Sequence, residues 1–328
     1  MGCDQNSYSP NGIEVGDSTT PSMFDRALSD RTQTFVFPAN TGTVCKFSDI
    51  GVEICLETDC FVLNGVPVTS GDITLEYIEI FEKGDMVVTN KTTTDAATGE
   101  MLRSGGEFYL QAYLNGVLLS LSPGCDWAGA LNINPDLTGG IDYGMDVWTG
   151  SINPNGNLNW SPVMTTIVDG GGSDTLSAIN WTGGPGPGPN DEPGYVLPFI
   201  QGWHNCDVFW SWPTPKTTVT VNVPAQYDNS NSEVFIMYNG EDNSLAYFDS
   251  CGGNCFESRT TSSNPNSIPI GIEAHILFLV EYSEATDIFT YALASDITIS
   301  DNLVIDFFDN DLQTATETEL VDLVNLLD

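Results

Sequence analysis

Apolar and polar residues alternate with a period of two through most of this chain beyond residue 30. Gly, Asn, Asp and Pro break the alternation, and the pattern predicts strands rather than helices. Phe35-Val36-Phe37 is a short run closed by Pro38. Residues 42–47 and 52–56 read as hairpin arms around Ser48-Asp49-Ile50-Gly51. Asn64-Gly65 and Asn115-Gly116 are two-residue hairpin signals. Residues 72–82 form a long strand with Ile73, Leu75, Tyr77 and Phe81 on one face and Ile78 and Ile80 on the other. Apolar residues on both faces predict a central strand covered on both sides. Met86-Val87-Val88 and residues 107–114 and 117–121 add further strands.

Residues 123–195 break this rhythm, being rich in Asn, Gly, Pro and Trp and poor in charge. Gly183-Gly184-Pro185-Gly186-Pro187-Gly188-Pro189 reads as a linker or exposed loop. Strands resume near Tyr195. Residues 233–238 and 244–248 flank a hairpin turn at Asn239-Gly240-Glu241-Asp242. Residues 217–223, 272–282, 287–294 and 297–308 complete a second set. A helix closes the chain. Thr316 with Glu319 fits a capping box, and Leu320, Leu323, Val324 and Leu327 form an apolar stripe expected to pack on that set.

The predicted fold is all-β, with two antiparallel β-sandwich domains joined by a loop-rich region and a short C-terminal helix. The expected divisions are 1–30, a flexible polar tether with one helical turn at residues 23–28; 31–124, the first sandwich; 125–195, the connecting region; and 196–328, the second sandwich with its helix.

Charge narrows the partners. Against 45 acidic residues stand 8 basic ones, a net charge of −37. No cationic cluster exists to meet a phosphate backbone, so nucleic acid is excluded. An acidic surface attracts cations and cationic partners, or serves solubility in a salty medium. No run of 18 apolar residues is present, so no helix-length span is expected.

Eight cysteines suggest an oxidising compartment. Cys251 and Cys255 enclose Gly-Gly-Asn and read as a small disulfide loop. The competing reading is half of a zinc site with His204 and Cys206, which lie far off in sequence. Cys45, paired with Cys55 or Cys60, is a second expected bridge. Cys3 follows Gly2 and precedes a polar tether, the look of a processed bacterial lipoprotein, so Cys3 is the expected lipid anchor. Seven cysteines then remain, and at least one is unpaired.

Two segments carry a resemblance. Residues 61–69 (Phe-Val-Leu-Asn-Gly-Val-Pro-Val-Thr), 75–86 and Ser104-Gly105-Gly106-Glu107-Phe108-Tyr109 resemble ZU5-like β-sandwich domains of Gram-negative surface lipoproteins. Gly202-Trp203-His204-Asn205-Cys206-Asp207 and Ile268-Pro269-Ile270-Gly271 are similar to text in the same family. The resemblance implies an exported, lipid-anchored β protein and no enzymatic activity. The cysteine-rich stretch from Cys45 to Cys60 departs from it.

Candidate chemistry is sparse. A Ser-His-Asp or Cys-His site would need His204 or His275. Neighbours on a strand point to opposite faces, so the string His204-x-Cys206-Asp207 is a poor triad. With so many acids, carboxylate pairs carry little information about glycoside hydrolysis. Oxygen-rich loops at 136–146, 153–159, 228–233 and 309–311 make a structural calcium possible. All seven tryptophans fall between Trp127 and Trp212. They form either the core of a loop-rich region or a sugar-stacking platform, for which Trp148, Trp160 and Trp181 are the candidates. The reading favours a non-catalytic surface structural or protein-interaction component. A glycan-binding module is the alternative, and an enzyme is least favoured. The expected partner is another surface protein or a glycan, with membrane contact only through the N-terminal lipid.

Overall fold

The computed structural model describes residues 23–123, 125, 129–153, 156–166, 173–175, 177–181, 193–209, 215–259, 266–280 and 288–327. The fold is all-β with sandwich-like sheets and a short C-terminal helix. The linker-like run 183–189 lies outside the described residues.

The first sheet has the order Gln33–Pro38, Asp72–Ile80, Leu102–Leu114, Gly202–Phe209, Asp146–Ile152 and Leu158–Pro162, with Val117–Leu118 folded back onto Leu102–Leu114. The second runs Ile179–Trp181, Pro193–Pro198, Gly129–Ile133, Glu53–Glu57 and Thr43–Phe47. Their facing sides share one core that includes Phe37, Ile54, Leu75, Tyr77, Phe108, Leu131 and Val147. Both Asn-Gly hairpins form, with Asn64, Gly65, Asn115 and Gly116 all at positive φ as a tight two-residue turn requires.

The strand pairing corrects the expected divisions. Residues 125–195 are not a connection between sandwiches. Gly129–Ile133 lies between Glu53–Glu57 and Pro193–Pro198, and Asp146–Ile152 pairs with Gly202–Phe209. Gly202–Phe209, expected in the second sandwich, sits at the centre of the first sheet. The pairing partners lie far apart in sequence, where local composition carries no signal.

A third sheet of eight strands has Ala246–Gly252 and Ser232–Tyr238 at its centre, followed outward by Glu273–Val280 and Ile288–Thr298. Inward residues from its strands, among them Val221, Ile236, Phe248, Phe256 and Phe278, meet in one cluster, so the sheet curls on itself. One pair is parallel, Thr220–Asn222 with Val304–Asp306.

The two halves meet through a layer of three helices. Ile78, Ile80 and Tyr109 on the back of the first sheet join Phe235, Met237, Leu277 and Leu279 of the third in one core. Helix α1 (Met23–Asp30), helix α2 (Lys83–Thr89) and helix α3 (Glu317–Asn325) complete it. Strand Asp72–Ile80 is thus buried on both faces, as its pattern predicts. Met86-Val87-Val88 is helical, not the expected strand. A three-residue apolar run fits either geometry. Here all three side chains are fully buried, and Asn90 in the left-handed conformation ends the helix. The capping box at Thr316 and Glu319 forms, and Leu320 and Val324 bury their side chains in the same core.

Candidate functional site

The cysteines resolve into three bridges. Cys45 bonds Cys55, its direct cross-strand neighbour, Cys60 bonds Cys125, and Cys251 bonds Cys255. The bond at Cys251 and Cys255 uses both sulfurs and rules out the zinc reading there. Cys206 is unpaired and buried in the first core. Cys3 lies outside the described residues. Cys45, Cys55 and Glu53 bring ligand-type atoms together, but the two sulfurs are spent on each other.

The tryptophans proposed as a platform are mostly core. Trp148 is 1% and Trp160 0% exposed. Their indole N–H groups donate to the carbonyls of Asp207 and Thr92 at 2.9 and 2.7 Å. A ring enclosed in this way has no face for a sugar. The Trp181 side chain and residues Trp127, Trp210 and Trp212 lie outside the described residues. Among the described residues, none of the four oxygen-rich loops gathers three acidic or histidine ligands. Asp228 instead accepts from Ser230 within its own turn, and Asp142 from Gly144 and Arg103.

The two motifs Ser104-Gly105-Gly106-Glu107 and Asn205-Cys206-Asp207 lie side by side at a bulge in the first sheet. Both glycines are required. A Cβ on Gly105 would sit 3.0 Å from the Cys206 sulfur, and one on Gly106 2.7 Å from the Phe81 ring, with φ already at +115°. The result is a fully buried polar cluster. Asn205 donates to Asp207 Oδ2 at 2.8 Å and accepts from Ser104 at 3.1 Å. Neither carboxyl oxygen of Glu107 has a hydrogen-bond partner, nor does Asp207 Oδ1. Burial therefore pushes the Glu107 carboxyl well above the usual range, against the pull of Lys91. Asp207 is raised by burial and then by the neighbouring Glu107. Lys91 donates to the carbonyls of Thr89 and Asn90 and stands 5.7 Å from the Trp203 ring centre. Burial lowers it, opposed by Glu107, Asp25 and Glu233. Two buried acids beside one buried cation hold a proton between them most easily. None of Glu107, Asn205 and Asp207 reaches solvent, so the cluster is closed to substrate.

His204 takes no part in it. Its ring packs against Phe108 in the sandwich core, and burial lowers it to about 4. Sequence reasoning treated Glu107 as an ordinary strand residue. The paired glycines just before it, out of place in a strand, were the available signal.

The second feature is an open edge. Thr43–Phe47 ends the second sheet, pairs only with Glu53–Glu57 among the described strands, and is exposed at four of its five residues. Ser48 N–H donates to the Val52 carbonyl at one end, and Thr58 N–H to the Gly42 carbonyl at the other. In an antiparallel ladder, hydrogen-bonded and non-bonded pairs alternate. Those two bonds therefore set the phase. Val44 and Lys46 turn their backbone groups inward, and Thr43, Cys45 and Phe47 turn theirs out. Phe47 is 65% exposed beside them.

No protein-family model matches the chain, and no curated protein matches it.

Proposed function

We propose that this protein is a non-catalytic cell-surface component that holds or recruits another protein, tethered by lipid at Cys3. The observation that carries the reading is the open Thr43–Phe47 edge, three of whose residues aim their backbone groups at solvent. Natural sheets cover or blunt such edges unless something pairs with them. Three disulfides suit an exported protein. Six cysteines are bonded and Cys206 is enclosed, which leaves Cys3 as the one thiol for acylation. The ZU5-like resemblance of residues 61–121 points the same way. The glycan-binding alternative loses Trp148 and Trp160, whose rings are enclosed.

A photo-crosslinking amino acid at position 47, on the full chain at the cell surface, tests this reading. A single discrete protein adduct is expected there, and none from the same group at the well-exposed Leu326. Equal labelling at both positions, or none at either, overturns it. Mass spectrometry of the N-terminal peptide checks the anchor, and an unmodified Cys3 thiol would remove the lipid from the proposal.

A further inference from the structure

The interaction reading leaves the partner's chemistry open, and the distribution of charge narrows it. All eight basic residues are described, and seven are occupied internally. Arg31 binds Asp85 and Glu317. Arg103 binds Asp142 and Glu241. Lys216 binds Glu100. Lys83 is buried against the Leu327 carbonyl, and Lys91 is enclosed. Arg259 bonds Asn159 and Tyr247. Arg26 is half-buried with partners of its own. Lys46 is exposed on the edge strand. The exterior is therefore strongly anionic, and its few cations are mostly spent on this chain's own acids and carbonyls.

The open edge carries this field locally. Glu53, Cys55 and Glu57 share a face with Thr43, Cys45 and Phe47 on the adjoining strand, because each is the direct partner of one of them. Thr43 Oγ1 donates to Glu57 at 2.6 Å, and Asn132 to Glu53 at 2.7 Å, so both carboxylates are held in place on that face. Asp49 and Asp59 are exposed at the two ends of the Glu53–Glu57 arm. A strand added beyond the edge would lie about 9.6 Å from Glu53–Glu57, two strand spacings. A Lys or Arg side chain spans much of that gap. Lys46 projects to the other face, with Val44, because its neighbours alternate.

We infer that the edge takes an extended, basic segment of a partner protein as a sixth strand of the second sheet. Its backbone pairs with Thr43, Cys45 and Phe47. Its cationic side chains lie over the outer face and reach Glu53 and Glu57, and the aliphatic stem of one covers Phe47. Repulsion between two bodies of the same large charge disfavours a second copy of this chain as the occupant. This inference rests on the interaction reading above.

Residue-resolved hydrogen exchange on the full chain tests it. The probes are three synthetic peptides that alternate Val with Lys, with Thr or with Glu. The Lys peptide is expected to slow exchange at the Thr43, Cys45 and Phe47 amides by about tenfold or more, and to lose that effect at about 0.5 M NaCl. The Glu peptide is expected to do nothing. Thr43→Pro removes one outward N–H and no inward one, so it should weaken the protection while the Ile54 and Leu56 amides stay slow. Equal protection by the Thr peptide overturns the basic partner but keeps the docking edge. Binding of the Lys peptide without protection of these amides overturns edge pairing. No protection by any peptide overturns the interaction reading itself.

Discussion

Glu107→Gln removes a carboxyl that is buried, unbonded at both oxygens and raised to about 8 from an ordinary 4.5. An acid whose folded value is raised holds its proton longer in the folded state. The folded protein is therefore favoured most below about 4.5, and that advantage is lost as pH rises through about 8. At about 1.36 kcal/mol per pH unit, the whole loss is about 5 kcal/mol. Surface carboxylates are already ionised above pH 6.5, and His204 in the unfolded chain is half-titrated at 6.5 and adds only a small opposing rise above it. The segment from about 6.5 to 8 is thus dominated by the buried cluster and should show a net drop of about 1 kcal/mol. Asp207 titrates with Glu107, so the drop belongs to the pair. Above about 8, Lys91 works the other way, because its folded value is lowered and the unfolded lysine keeps its proton longer. The assay is the urea midpoint against pH at fixed high salt, which suppresses the surface field. The Gln variant starts less stable, because its amide is buried without partners. Its curve between 6.5 and 8 should nevertheless be much flatter. An unchanged slope in the variant, or no drop in the parent, would refute the reasoning.

His204 acts on the acid side. Its folded value of about 4 lies below the ordinary 6.5, so stability is lost as pH falls through that interval, by about 3 kcal/mol in full. In the parent this nearly cancels the Glu107 slope between about 4.5 and 6.5, and Glu107→Gln should unmask it in the same titration. Trp160→Ala should cost about 3–5 kcal/mol in chemical denaturation, by emptying a core site and orphaning the Thr92 carbonyl. Removing the Cys60–Cys125 bridge, with a sequence separation of 65, should cost about 4 kcal/mol. Removing Cys251–Cys255, with a separation of 4, should cost only about 2. Paired denaturation curves of the two double-alanine variants check that order.

Local and periodic features were legible in the sequence. Period-two alternation marked Asp72–Ile80 as buried on both faces, since each face carries its own apolar set. Asn64-Gly65 and Asn115-Gly116 announced their turns because few other residues take positive φ there. Thr316 and Glu319 announced the last helix because a capping box lies within one turn. The Cys251–Cys255 loop was equally local. What the sequence could not convey was pairing across distance. Gly129–Ile133 and Asp146–Ile152 read as linker because their partners lie far along the chain. Trp148 and Trp160 could be read as core, the favoured reading, or as platform, since enclosure depends on strands that only the fold brings over them. Met86-Val87-Val88 became a helix because the space between two sheets admits one. The Glu107 and Asp207 cluster exists only because a bulge sets two distant motifs side by side. The open edge at Thr43–Phe47 likewise depends on which strand ends the sheet, and tertiary structure alone decides that.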